Sequence, residues 1–192
     1  MTPRSSTTYD YGDGRGPDEP FRPQPSNDIP ERYQEYTLDD FPKPIKQRVF
    51  EFLNEPNLWS MFLSGGVGTR KTTLAAAVLM AARLQPGMSG RFVPAYTAAR
   101  VFRQFETGTL EQFRRSRLLI LDDIGAARST PHLTEQLVLL LQNRYDHRLK
   151  TIITSNLTLD EFAEHLDNRI ASRLQEGVLL ALGNRDSRKK GK

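Results

Sequence analysis

Residues 60–82 read SMFLSGGVGTRKTTLAAAVLMAA. An apolar run over residues 58–63 predicts a strand, residues 65–69 form a glycine-rich turn, and residues 72–84 predict an Ala-rich helix. That helix is apolar on most sides, so it belongs in a core. The stretch Gly65-Gly66-Val67-Gly68-Thr69-Arg70-Lys71-Thr72 fits the phosphate-loop pattern G-x-x-x-x-G-K-[ST] at Gly65, Lys71 and Thr72, with Thr73 following. Backbone N–H groups at a helix N-terminus cradle phosphate oxygens. Lys71 is expected to reach the β/γ-phosphates, and the Thr72 hydroxyl to meet Mg²⁺.

One position departs from the pattern. Arg70 stands where glycine lets backbone approach the phosphates. Two outcomes are open. Arg70 points outward and leaves a weakened but working cradle, or its guanidinium fills the pocket and reads or blocks phosphate.

Outward from the loop, apolar runs and helical patterns alternate. Pro44 marks a helix start, with Ile45, Val49, Phe52 and Leu53 on one face. Residues 91–96 predict a second strand, followed by a helix that buries Val101 and Phe105. Residues 118–121 form a short apolar strand ending in Asp122-Asp123. Leu133, Leu137, Leu140, Leu141 and Tyr145 mark a long amphipathic helix. Residues 151–154 predict a strand ending in Ser155-Asn156, and Thr158 with Glu161 is a capping-box signal. Residues 178–182 predict a last strand. The alternation predicts an α/β fold, a parallel sheet with helices on both faces. Ligands then sit beyond the carboxyl ends of the strands, where residues 65–72, 122–123 and 154–156 lie.

Asp122 is expected in the Mg²⁺ shell and Asp123 beside the attacking water. Asn156 offers an amide to that water or to the γ-phosphate, or it is a plain strand-end turn. Arg169 and Arg173, four apart, share a helix face. They serve a neighbouring subunit's γ-phosphate, or they form a solvated basic face paired with Asp167 or Glu176.

Composition narrows the classes. The 192 residues hold no Cys, so disulfides, thiolate zinc sites and iron–sulfur clusters are excluded. His132, His147 and His165 are too scattered for a helical metal pair. The longest apolar run, residues 74–82, has nine residues against the roughly 20 of a membrane span. No apolar leader is visible, so the expected compartment is the cytoplasm, with no membrane partner. Residues 1–40 carry four Lys/Arg and nine Asp/Glu (net −5), and residues 41–192 carry 23 and 14 (net +9). A body this basic suggests a polyanion, nucleic acid first. Residues 1–30 hold six of the twelve prolines and almost no aliphatics, which predicts a disordered acidic tail. The expected folded domain covers residues 31–184, and residues 185–192 form a basic tail.

The four sites, in this order and spacing, resemble the AAA+ ATPases. Within them the chain is most similar to DnaC/DnaI-type helicase loaders and the related IstB-type transposition ATPases. Tyr36-Thr37-Leu38-Asp39-Asp40-Phe41, residues 65–72, residues 120–125, residues 152–157 and residues 169–174 carry the likeness. The resemblance implies a five-stranded parallel sheet, ATP and Mg²⁺, single-stranded DNA, a hexameric replicative helicase as partner, and self-association. It implies Lys71 and Thr72 as Walker A, Asp122 and Asp123 as Walker B, Asn156 as sensor 1, and Arg173 ahead of Arg169 as the trans-acting arginine. For DNA, Arg100, Arg103, Arg114 and Arg115 offer cations, and Phe102 is the stacking candidate.

Overall fold

The computed structural model describes residues 28–125 and 130–183. Five strands, β1 (Ser60–Ser64), β2 (Gly90–Pro94), β3 (Leu118–Asp122), β4 (Lys150–Ser155) and β5 (Val178–Ala181), form one parallel sheet in the order β2-β3-β4-β1-β5. Helices α1 (Lys43–Asn54), α2 (Lys71–Arg83), α3 (Ala95–Gln104), α4 (Thr107–Arg115), α5 (Pro131–Asp146), α6 (Leu159–His165) and α7 (Asn168–Gln175) connect and cover it. The expected α/β architecture is present.

Strand side chains alternate between two cores. Met61, Leu63, Leu118, Ile120 and Ile152 pack with Val49 and Phe52 of α1 and with Leu74, Val78 and Leu79 of α2. Phe62, Leu119, Leu121 and Ile153 face the other way, onto Phe102, Leu140, Phe162 and Ile170. Phe62 and Phe162 meet edge to face at 5.1 Å. Burial on both faces is why these strands read as unbroken apolar runs.

The boundaries have local causes. The packed body includes Asp28 and Ile29, ahead of the expected start at residue 31. Ile29 is 2% exposed, and the Asp28 carboxylate accepts from Arg83 at 2.7 Å and from the Phe92 N–H at 2.9 Å. The rest of the expected acidic tail, and residues 184–192, lie outside the described residues. The Thr158–Glu161 capping box opens α6 as expected.

The region after β2 differs from expectation. Phe105 adopts φ 50°, ending α3 at Gln104, and a separate helix α4 follows. The Phe105 N–H still bonds the Val101 carbonyl, but the left-handed φ turns the Phe105 side chain off the helix's buried face. Phe102 takes the core position at 4% exposure, and Phe105 is 70% exposed beside the His132 ring. The two phenylalanines thus exchange their expected roles. Among the described residues no helix is long and apolar enough to cross a membrane.

Candidate nucleotide site

The parallel register brings the chemical residues to one edge. Leu63 pairs with Thr154 and Ser64 with Ser155, while β3 lies on the far side of β4. The turns after β1, β3 and β4 therefore face each other.

The loop after β1 needs its glycines. Gly65 has φ 146°, and a Cβ there would lie 2.4 Å from the Leu182 carbonyl oxygen; Gly68 has φ 81°. The Thr69 hydroxyl donates to the Gly66 carbonyl at 2.9 Å, and Val67 is exposed at the tip. No side chain caps the N-terminus of α2. Its first-turn N–H groups, which a helix cannot satisfy internally, form the floor of the cradle. Thr73 is buried in that first turn.

Arg70 precedes α2 with φ 68°, ψ 23°, the left-handed conformation that explains why glycine suits this place. Its guanidinium lies 5.1 Å from the Tyr36 ring centroid and 4.9 Å from that of Phe41. It reaches the Asp40 carbonyl oxygen at 3.4 Å. Of the two open outcomes, the outward one is observed: the guanidinium stacks on the segment before α1.

Lys71 crosses the loop instead. Its Nζ donates to the carbonyls of Gly65 (2.7 Å) and Gly66 (2.8 Å) and to Asn156 Oδ1 (2.8 Å). Burial lowers its pKa, and the charges of Asp123 and Asp122 oppose that. Asn156 Nδ2 donates to Asp123 Oδ1 at 3.2 Å. Asp122 is 8% exposed, and burial pushes its carboxyl up. Hydrogen bonds from the Thr154 and Thr72 hydroxyls hold it down. Thr72, Asp122, Asp123, Asn156 and Lys71 thus lie together at one end of the sheet.

The resemblance's arginines sit elsewhere. The α7 C-terminus leads into β5, whose Val178 pairs with Met61 near the start of β1. Arg173 therefore lies at the opposite edge of the sheet from the loop. The Trp59 indole donates to its carbonyl at 2.9 Å, and its guanidinium stacks 4.6 Å from the Tyr145 centroid. The Arg169 side chain is 81% exposed and pairs with Asp167 at 2.9 Å. The expected DNA cations divide. Arg100 and Arg103 lie on α3, whereas Arg114 and Arg115 end α4 just before β3 begins, each paired with Glu111. Phe102, buried under α3, has no free face to stack a base on; Phe105 has one.

The sequence model described as IstB-like ATP binding protein matches residues 47–179. The chain belongs to the IstB-like ATP binding family. Among solved structures, this IstB-like chain is similar to the DnaC helicase loader at 24% identity and TM-score 0.70, covering 81% of this chain and 100% of that one. It is similar to DnaI at 23% identity and TM-score 0.66, covering 81% and 94%. It is also similar to AMPPCP-bound DnaA from Aquifex aeolicus at 21% identity and TM-score 0.66, covering 80% and 51%. It therefore spans about half the length of the AMPPCP-bound DnaA structures it matches. No curated protein matches it in sequence. The sheet order and the glycine loop make this the AAA+ P-loop ATPase fold.

Four residues have roles that the sequence did not disclose. The Thr154 hydroxyl was hidden inside a strand-end triplet. Tyr36 and Phe41 stood apart from the loop they reach. Phe105 was placed by helical spacing that the chain does not keep.

Proposed function

We propose that this chain is an ATP-dependent loader of a hexameric replicative helicase, switched by ATP and Mg²⁺ and acting on single-stranded DNA as a self-associating assembly. The observation that carries this is the 2.8 Å bond between Lys71 Nζ and Asn156 Oδ1, which joins the phosphate loop to the acid pair of β3 through one amide.

In this reading the backbone of residues 65–73 binds the triphosphate and Lys71 leaves its carbonyl partners for the β/γ-phosphates. Thr72 and Asp122 are hard oxygen donors already within one hydrogen bond of each other, a set that fits Mg²⁺ with phosphate and water completing its shell. Bound there, Mg²⁺ supplies charge neutralisation at the phosphates. Asp123 orients the attacking water and takes its proton; Asn156 holds that water or the γ-phosphate. Arg169 and Arg173 act on a neighbouring copy's nucleotide. Arg100 and Arg103 bind DNA phosphates, and Phe105 beside His132 offers the exposed ring face.

The family match favours a second reading, a transposition helper that assembles on duplex DNA. The two part on DNA form and on whether the chain copurifies with a helicase or a transposase. A nucleotide-insensitive adaptor is disfavoured, because the Arg70 guanidinium stacks away from the cradle.

The test is equilibrium binding of a fluorescent ATP analogue with Mg²⁺. Saturable binding lost in Lys71→Ala, together with Mg-ATP turnover and capture of a helicase, supports the loader. No binding by the natural chain overturns it.

A further inference from the structure

The geometry points to Thr154 as the positioning residue of the acid pair, an inference that rests on the ATPase reading above. Thr154 is fully buried near the end of β4, and one hydroxyl serves both acids. It donates to Asp122 Oδ1 at 2.7 Å and accepts the backbone N–H of Asp123 at 2.8 Å. Its carbonyl accepts the Ile124 N–H at 2.9 Å. Three consecutive residues of the β3 turn are thus held by one residue of the neighbouring strand.

The turn needs such a hold. Asp123 sits at φ 62°, a left-handed conformation that a non-glycine residue keeps only when its surroundings impose it. Side chains around Thr154 tighten the same turn. The Ser155 hydroxyl donates to the Ile124 carbonyl at 2.6 Å, and Gly125, at φ 93°, leaves no room for a Cβ against Leu157. That backbone geometry separates the roles of two adjacent carboxylates. Asp122 turns into the protein toward Thr72, and Asp123 turns out toward Asn156. In a regular strand they would point to opposite faces of the sheet. Thr154 acts through both acids and touches no phosphate itself.

A valine matches threonine in shape but has neither donor nor acceptor, and serine keeps both. Thr154→Val is expected to lower kcat for ATP by at least tenfold, and to abolish the tightening of ATP-analogue binding by Mg²⁺. Thr154→Ser is expected to restore both. Urea unfolding of the nucleotide-free proteins identifies the folded fraction used in each comparison. A purely structural role predicts lower stability with kcat per folded molecule unchanged, and that result overturns the inference. Failure of serine to rescue overturns it as well. A natural chain that hydrolyses ATP alongside an unchanged Thr154→Val sinks this inference alone. A natural chain that neither binds nor hydrolyses ATP sinks the ATPase reading, and this with it.

Discussion

The guanidinium of Arg70 lies 4.9 Å from the centre of the Phe41 ring, with Tyr36 at 5.1 Å. Two opposed terms follow. A non-glycine residue in the left-handed region costs about 1–2 kcal/mol, and cation–π contacts of this partly exposed guanidinium return about 0.5–1 kcal/mol each. Arg70→Gly removes both and is expected to leave stability within about 1 kcal/mol. Arg70→Ala keeps the strain and loses the stacking, so it is expected to be the less stable of the two by about 1 kcal/mol or more in urea unfolding. Nucleotide affinity of Arg70→Gly should stay within about threefold of the natural chain. A tenfold gain would mean that the guanidinium obstructs the cradle.

Asn156 is held between Lys71 and Asp123, so it responds to whatever draws Lys71 away. Asn156→Ala is expected to bind the ATP analogue within about threefold of the natural chain yet lose at least tenfold in kcat. Lys71→Ala is expected to lose binding itself, since the ammonium is the loop's own cation. Titration of the analogue and steady-state turnover separate the two. Equal loss of binding in both variants would make Asn156 a structural support of the loop.

The β–α alternation, the glycine turn and the acid pair were legible because they depend on local periodicity and on neighbours in sequence. Strand order was not derivable from periodicity, which is silent on which strand pairs with which; the resemblance implied five parallel strands, and their order came only with the structure. The orientation of Arg70 was equally hidden, because its ring partners lie some thirty residues upstream. Phe102 and Phe105 were exchanged because helical spacing was carried past Gln104, where a left-handed residue ends α3. The reach of Thr154 to both acids needed the β3–β4 register, which only the fold supplies.

Arg144 is a charged residue at the heart of the fold, 0% exposed. It donates to the carbonyls of Phe113 (2.6 Å) and Lys150 (2.7 Å) and to the Thr151 hydroxyl (2.8 Å), tying α4, α5 and β4 together. Burial pushes its guanidinium down to about 9, and backbone dipoles take the place of a carboxylate. Removing it leaves those acceptors buried and unpaired, at about 1–3 kcal/mol each. Arg144→Met is expected to lose at least about 3 kcal/mol in urea unfolding, and Thr151→Val about 1 kcal/mol. A neutral Arg144→Met would show that apolar packing alone suffices there.

Arg173 stacks on Tyr145 at the amino-terminal edge of the sheet, while the phosphate loop leaves the other end of β1. Five strand residues separate the two edges, about 16 Å at 3.3 Å per residue. Arg173 therefore has no route to its own nucleotide and must leave the Tyr145 ring to reach another copy's. Arg169, 81% exposed, gives up only its surface ion pair with Asp167 to do so. Subunit mixing tests the trans role of each. Lys71→Ala and an arginine variant, each inactive alone, should regain Mg-ATP turnover when combined, because some interfaces then pair an intact loop with an intact arginine. Recovery with Arg169→Ala but not with Arg173→Ala would assign the trans role to Arg169 and leave Arg173 as a brace for Trp59 and Tyr145. No recovery with either, in mixtures shown by light scattering to co-assemble, would rule out a trans role for both arginines.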